Sequence, residues 1–405
     1  MLTHLILLLS RAFAADLPAD ADSPMHDLSD AEAETHVIAL PNIGFDTDDG
    51  LGFGARVELT RVGAAWSPYQ ASYVFQGFAT LRGYHHHRFR LDLPYVGERP
   101  HRVTVHLAWR QWNHDGYWGL GNVAPLDDEV VLAQEEGNSQ DYYRYTLIQP
   151  YSHFTLRTPL WGPWLVFGAL DLKYSVVRTF EPSLHAAEQP FGMDGGLAAT
   201  VFAGLLYDTR EPEVTPEGGV LLELSGQASV GQHDAAYVGV LGSARAYQSL
   251  ADRLVLAGRL IAEQRIGRVP FYDLVQWGGL IPVGGFGGHE TVRGLSYGRY
   301  HGKFKAVANV ELRVDVASMT ALKRSLEWQL VPFYDTGLVH QPGDPWVDPE
   351  FPLLHHGLGA GVRAIFDTTL VGRLDVGVSP DVVRQENHSY IRPSLGIYFV
   401  FDHTF

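Results

Sequence analysis

Arg293, Glu311 and Asp335 are the residues whose types and setting promise chemistry. Arg293 lies in Gly284-Gly285-Phe286-Gly287-Gly288-His289-Glu290-Thr291-Val292-Arg293-Gly294-Leu295, a glycine-rich run that can turn tightly. A guanidinium is a planar fork able to hold two carboxylates at once, so the chemistry on offer is cross-linking. Catalytic readings of the same region fail. Gly294-Leu295-Ser296-Tyr297-Gly298 fits a nucleophile elbow, but that motif needs a strand before it and a helix after it. Here a glycine loop precedes and a strand pattern follows. Gly284–Gly288 lacks the Lys-Ser/Thr of a phosphate cradle. In His85-His86-His87 neighbouring rings point to opposite faces of a strand and cannot converge on one metal ion. Asp127-Asp128-Glu129 and Glu135-Glu136 read as a solvated loop. No catalytic residue, cofactor or metal site is assigned.

The elements that must position these residues alternate with period two. Ala306, Ala308, Val310, Leu312, Val314 and Val316 oppose Asn309, Glu311, Arg313 and Asp315. Leu326, Trp328, Leu330 and Tyr334 oppose Glu327, Gln329 and Asp335. Phe89, Leu91 and Leu93 oppose Arg88, Arg90 and Asp92, while Val103, Val105, Leu107 and Trp109 oppose Thr104, His106 and Arg110. In Ile391–Phe405, Leu395, Ile397, Phe399, Phe401 and Phe405 share one face, and Arg392, Ser394 and Tyr398 take the other. Such segments are strands with one apolar and one polar face.

A soluble sandwich and an outer-membrane barrel both satisfy alternation. Three observations favour the barrel. The polar faces carry paired opposite charges, as a confined lumen needs. Trp109 and Trp112, Tyr142, Tyr143 and Tyr145, and Trp161 and Trp164 cluster near strand ends, as in interfacial girdles. The last strand ends in Phe405, which places the C-terminus in the sheet. The expected fold is all-β: a transmembrane antiparallel barrel of about 16 strands. Its long loops are Asn113–Asp141, Phe180–Gly195, Gly279–Gly302 and His340–His356. Gly97–His101 and Thr158–Pro163 are short turns at the opposite end.

Composition agrees. The 405 residues are 46% apolar, 12% aromatic and only 19% charged, with 43 Gly. Net charge is −16, which argues against a nucleic-acid partner. There is no cysteine, hence no disulfide or thiolate metal site. Leu5–Leu9 followed by Ala12-Phe13-Ala14 resembles a secretory signal, although only His4 precedes it where Lys or Arg is usual. Residues 1–15 are therefore assigned as signal peptide, 16–36 as a disordered acidic tether and 37–405 as the barrel. No run of 18 apolar residues occurs.

Asp208-Thr209-Arg210-Glu211-Pro212 with Thr215-Pro216-Glu217-Gly218-Gly219 resembles a signature of the bacterial surface antigen barrels, the BamA/TamA superfamily. Val292-Arg293-Gly294-Leu295, Glu311-Leu312-Arg313, Phe333-Tyr334-Asp335-Thr336-Gly337, Gly359-Ala360-Gly361-Val362-Arg363 and Phe405 follow in the family's order. Pro41–Gly54 looks like its opening strand pair. The resemblance spans Pro41–Phe405. It implies a bacterial (Gram-negative) outer-membrane barrel whose long loop folds into the lumen, with Arg293 and Gly294 at its tip and Arg293 locked on Glu311 and Asp335. Asp208, Arg210, Pro216, Gly218 and Arg363 are family-motif positions. Leu295 replaces the family's aromatic and is expected to loosen the tip. The resemblance also implies a weak seam between the strand near Gly52–Leu59 and Ile391–Phe405, with Phe399, Phe401 and Phe405 as its C-terminal signal. Through that seam or the lumen, proteins would be assembled or translocated. The implied partners are outer-membrane lipid and lipopolysaccharide, unfolded client barrels, or a separate chain bearing periplasmic domains. About 20 residues between signal and barrel are fewer than the roughly 50 a small domain needs, so no periplasmic POTRA domain is expected here. That leaves an alternative: a stand-alone channel, anchor or surface antigen.

Overall fold

The structure, a computed structural model, describes residues 34–405 apart from 64–65, 67, 97–98, 123, 214, 322–323, 344–352, 367–369, 386–388 and 402–404. The signal peptide and most of the tether lie outside the described residues. One sheet holds seventeen strands, of which the two-residue Leu126–Asp127 stands outside the ring and leaves sixteen. These are β1 (Glu34–Asp46), β2 (Gly50–Val62), β3 (Ala71–Thr80), β4 (Tyr84–Leu93), β5 (Arg102–Gly116), β6 (Arg144–Trp161), β7 (Trp164–Thr179) and β8 (Gly196–Asp208). There follow β9 (Gly219–Gly231), β10 (Ala236–Ala251), β11 (Leu254–Arg268), β12 (Phe304–Ala321), β13 (Arg324–His340), β14 (His355–Phe366), β15 (Leu370–Arg384) and β16 (Ser389–Phe401). Each pairs antiparallel with its sequence neighbours, and β1 meets β16, which closes the barrel. The ladders between sequence neighbours pair the backbone donors and acceptors of the wall, as a hydrocarbon surround demands, while β1 and β16 meet over a short stretch.

The sheet's two faces follow the alternation. On β12, Lys305, Val307, Asn309, Glu311 and Arg313 are buried, whereas Val310 and Val316 are exposed outward. On β13, Val331, Phe333 and Asp335 are buried and Leu330 and Tyr334 are exposed. Outward apolar and inward polar residues are the pattern that lipid outside and a packed interior inside require. The long connections all fall at one end, between β5 and β6, β7 and β8, β11 and β12, and β13 and β14. Three short helices, α1 (Asp128–Glu135), α2 (Leu184–Glu188) and α3 (Phe271–Val275), lie in them.

Four sequence expectations need correction. Residues 34–36 are part of β1 and not tether. The seam strand is β1, not the Gly52–Leu59 stretch, which belongs to β2 and pairs fully with β1 and β3. Pro41–Gly54, expected as the opening strand pair, does span the β1–β2 turn, but β1 was not recognised as the seam strand because Val37-Ile38-Ala39-Leu40-Pro41 interrupts alternation; proline suits an edge strand, where a backbone N–H is not needed. Phe405 is not in the wall with Leu395: it packs with Tyr247 and Ala257, and the guanidinium carbons of Arg259 and Arg313 lie 5.1 and 5.6 Å from its ring centre. Not all the aromatics form a girdle. Trp109, Trp161 and Trp164 are exposed outward, but Trp112, three residues after Trp109 and so on the opposite face, and Tyr145 point inward. They are buried with Tyr117, Phe271 and Tyr272.

Candidate functional site

Residues 269–303 join β11 to β12. Their apolar side chains Trp277, Val283, Phe286, Val292, Leu295 and Tyr300 form one buried cluster with Ile261 and Val307 of the inner face. The segment holds its own turn. The Thr291 hydroxyl donates to the Gly285 and Gly287 carbonyls at 2.6 and 2.8 Å, and the Glu290 carboxylate accepts from the Gly284 amide at 2.5 Å. Leu295, expected to loosen the tip, is fully buried instead.

Arg293 is wholly buried. Its Nε and Nη2 donate to the two oxygens of Asp335 at 2.7 and 2.9 Å, a bidentate fork, and its backbone N–H adds a third bond at 3.1 Å. Nη1 donates to Glu311 Oε1 at 2.8 Å and to Asp375 Oδ2 at 3.3 Å. The guanidinium lies 3.4 Å over the Phe333 ring, so one face stacks while the edges bond. Burial opposes its charge, but Asp335, Glu311 and Asp375 hold its pKa above the ordinary arginine value. Around it, Arg313 donates to Glu311 Oε2 at 3.0 Å, Arg363 bonds both Glu311 and Asp375, and Arg373 reaches Asp375 at 3.1 Å. Each charged bond is worth about 1.5–3 kcal/mol, and removing one partner of a buried pair costs about 3–5 kcal/mol. The group therefore ties 269–303 to β12, β13 and β15.

Close approach depends on missing side chains. Gly294 has φ +107°, and a Cβ there would lie 2.7 Å from the Ser379 nitrogen. On the wall, a Cβ on Gly357 of β14 would come within 2.3 Å of the Arg293 carbonyl oxygen, and one on Gly377 of β15 within 3.1 Å of its Cβ.

The segment also touches both strands of the seam. Among the described residues, β1 and β16 are partnered at Phe45–Phe399 and Asp46–Tyr398, against thirteen partners between β15 and β16 and thirteen between β1 and β2. Ser389–Ile397 of β16 have no partner on β1 among the described residues, and Glu34–Gly44 of β1 have none on β16. On the β16 side, the Tyr398 hydroxyl accepts from the Gly294 amide at 3.1 Å and donates to the Leu295 carbonyl at 3.3 Å. On the β1 side, Asp48 in the β1–β2 turn accepts from the Tyr297 amide at 2.7 Å, and His289 lies 3.6 Å from Asp46. Burial, reinforced by Asp46, pushes the Asp48 carboxyl up to about 6.

Of the residues singled out from sequence, Arg293, Gly294, Glu311, Asp335 and Arg363 come together. Asp208, Arg210, Pro216 and Gly218 do not: they shape the β8–β9 turn at the other end, where Arg210 grips Asp208 through two bonds of 2.9 and 2.8 Å. Phe399 is at the seam, Phe401 pairs with Gly372 of β15, and Phe405 is inside. Sequence reasoning missed Asp375, Arg373, Phe333, Tyr398 and the two wall glycines. Arg373-Leu374-Asp375 does alternate, and Tyr398 stood on the polar face, so a signal existed for these. Nothing in sequence marks Gly357 and Gly377 among 43 glycines.

Comparison with known proteins gives the fold its lineage. Three solved barrels resemble this chain, each at 13% identity. They are a BamA from Haemophilus ducreyi lacking POTRA domains 1–3 (TM-score 0.55, covering 92% of this chain and 70% of that one); CdiB from Escherichia coli (0.56, 93% and 69%); and CdiB from Acinetobacter baumannii (0.50, 91% and 59%). At such identity they speak for the fold alone. No curated protein sequence matches. The Omp85 superfamily domain model matches residues 180–401, more than half the chain and the part that carries the arginine cluster. The chain belongs to the Omp85 superfamily of outer-membrane barrels.

Proposed function

We propose that this barrel assembles or translocates client proteins at the outer membrane by opening between β1 and β16, with the 269–303 segment as the internal lock. The observation that carries this reading is that, among the described residues, the seam is partnered at two positions while neighbouring strands pair along most of their length. An edge with unused backbone groups can accept a foreign strand. In hydrocarbon such groups are costly to leave unpaired, which favours client strands or a compensating deformation of the lipid. The lock supports the reading from inside. Arg293 fastens the segment to β12, β13 and β15, while Tyr398 and Asp48 fasten it to the two seam strands. Unfolded barrel proteins, or a chain supplying periplasmic domains, are the partners this reading needs, with lipid and lipopolysaccharide around the wall.

The test exploits the absence of native cysteine. Phe45→Cys with Phe399→Cys places two thiols at partnered positions of the seam. In cells depleted of the natural protein, other outer-membrane barrels should fall in abundance. The reduced double variant should restore them and the oxidised one should not. Normal abundance after depletion would sink the assembly role, and full restoration by the oxidised variant would sink the seam. A second reading, a stand-alone channel, draws support from an interior cavity of about 600 Å³ lined by the segment, by the inner face of β3–β7 and by residues of β1, β10, β11, β15 and β16.

A further inference from the structure

That cavity carries a charge the chain as a whole does not. The protein has 30 Lys and Arg against 46 Asp and Glu. The cavity is lined by nine Lys and Arg and by only three acids, Asp171, Glu213 and Glu290. Some of these cations are neutralised by acids behind the lining. Arg102 bonds Asp92 and Glu213, Lys173 bonds Asp273, and Arg373 bonds Asp375. Three of the nine sit together on the inward faces of β4 and β5, where Arg88 and Arg90 oppose Ala108 and His106 while Arg110 opposes His86, and Arg88 Nε donates to the Gln76 amide oxygen at 3.0 Å. Arg110 is met by neutral groups: the Gln149 amide oxygen at 2.6 Å and the face of Tyr151 at 4.1 Å. Its Nε, and Nε2 of His86, are buried with no hydrogen-bond partner. Arg90 is half-exposed and lies 3.7 Å from Asp92, an acid already held by Arg102.

Several guanidiniums on one face, in a cavity walled by protein, focus a positive potential and present forked donors to a tetrahedral oxyanion. We propose that the inner face of β4 and β5 is a binding site for a phosphate-type oxyanion, held by Arg88, Arg90 and Arg110. The three guanidiniums belong to β4 and β5, not to the Arg293 cluster, although the cavity they face also reaches Arg373 of β15 and Phe399 and Phe401 of β16; the site does not require the barrel to open between β1 and β16. The bound group is a phosphate monoester, either on a soluble solute or on a lipid headgroup.

The experiment titrates the full chain, purified in an uncharged detergent at low ionic strength, with inorganic phosphate and separately with a short-chain phosphatidic acid, by calorimetry. We expect saturable binding of at least one probe. Binding of inorganic phosphate assigns a soluble ligand, and binding of the lipid alone assigns a headgroup. Arg110→Gln and Arg90→Gln should each weaken binding by about tenfold, the loss of one charge-assisted bond. Arg268→Gln, which removes an exposed pair with Asp234, should leave it unchanged. Variants are compared only where their gel migration shows a folded barrel, and half-exposed Arg90 supplies the second substitution if Arg110→Gln misfolds. Binding of neither probe, or wild-type affinity in both folded variants, would overturn the proposal.

Discussion

The β12–β15 wall and the β1–β16 seam are made of the same kind of strand, yet they are secured by opposite means. The wall has uninterrupted ladders across β13–β14 and β14–β15, and inside it Arg293, Arg313, Arg363 and Arg373 interlace with Glu311, Asp335 and Asp375. Among the described residues the seam has two partnered positions, and the 269–303 segment fixes it further through Tyr398 and Asp48. Stability in this barrel is therefore concentrated on one side. A structure with such an asymmetry opens at its weak side first, because local opening follows the lowest local free energy.

The largest effect expected from breaking the comparison is at its strong side. Arg293→Ala leaves Asp335 and part of Glu311 and Asp375 buried without their cation, a loss of about 3–5 kcal/mol. The variant should lose heat-modifiable migration and melt at lower temperature. Arg293→Lys should recover only part of the loss, because an ammonium cannot fork onto Asp335 and stack on Phe333 together. Unchanged melting in Arg293→Ala would refute the lock. A smaller effect belongs to the seam side. The Asp48 carboxyl is raised from 3.8 to about 6, so the folded hairpin favours its protonated form. That contribution is complete below pH 3.8 and is lost as pH rises through about 6. Melting temperature should therefore fall modestly across that window, and Asp48→Asn should flatten the dependence.

How much of this was legible in the sequence follows from what sequence patterns encode. Alternation revealed the faces of β4, β5, β12 and β13, and it placed Glu311 and Asp335 on the same side of the wall. Ordered motifs joined Arg293 to them. The seam strand was misplaced because β1 reads as a continuous apolar run with a proline, and periodicity alone cannot recognise such an edge. Phe405 shared a phase with Leu395, but phase predicts direction only while a strand continues, and the described strand stops at Phe401. The wall glycines Gly357 and Gly377 matter through what approaches them from a segment more than 50 residues away. A local pattern cannot hold that information. The basic lining was hidden for a similar reason: an overall acidic composition says nothing about how charges divide between the outside and the cavity.

Hydrogen exchange of the detergent-solubilised barrel, followed by peptide, measures the asymmetry most directly. Amides of β1 and of the 389–397 part of β16 should exchange orders of magnitude faster than those of β12 and β13, and Arg293→Ala should narrow the gap by loosening the wall. Equal protection of β1, β16, β12 and β13 in the unaltered protein would contradict a barrel built to open at one seam.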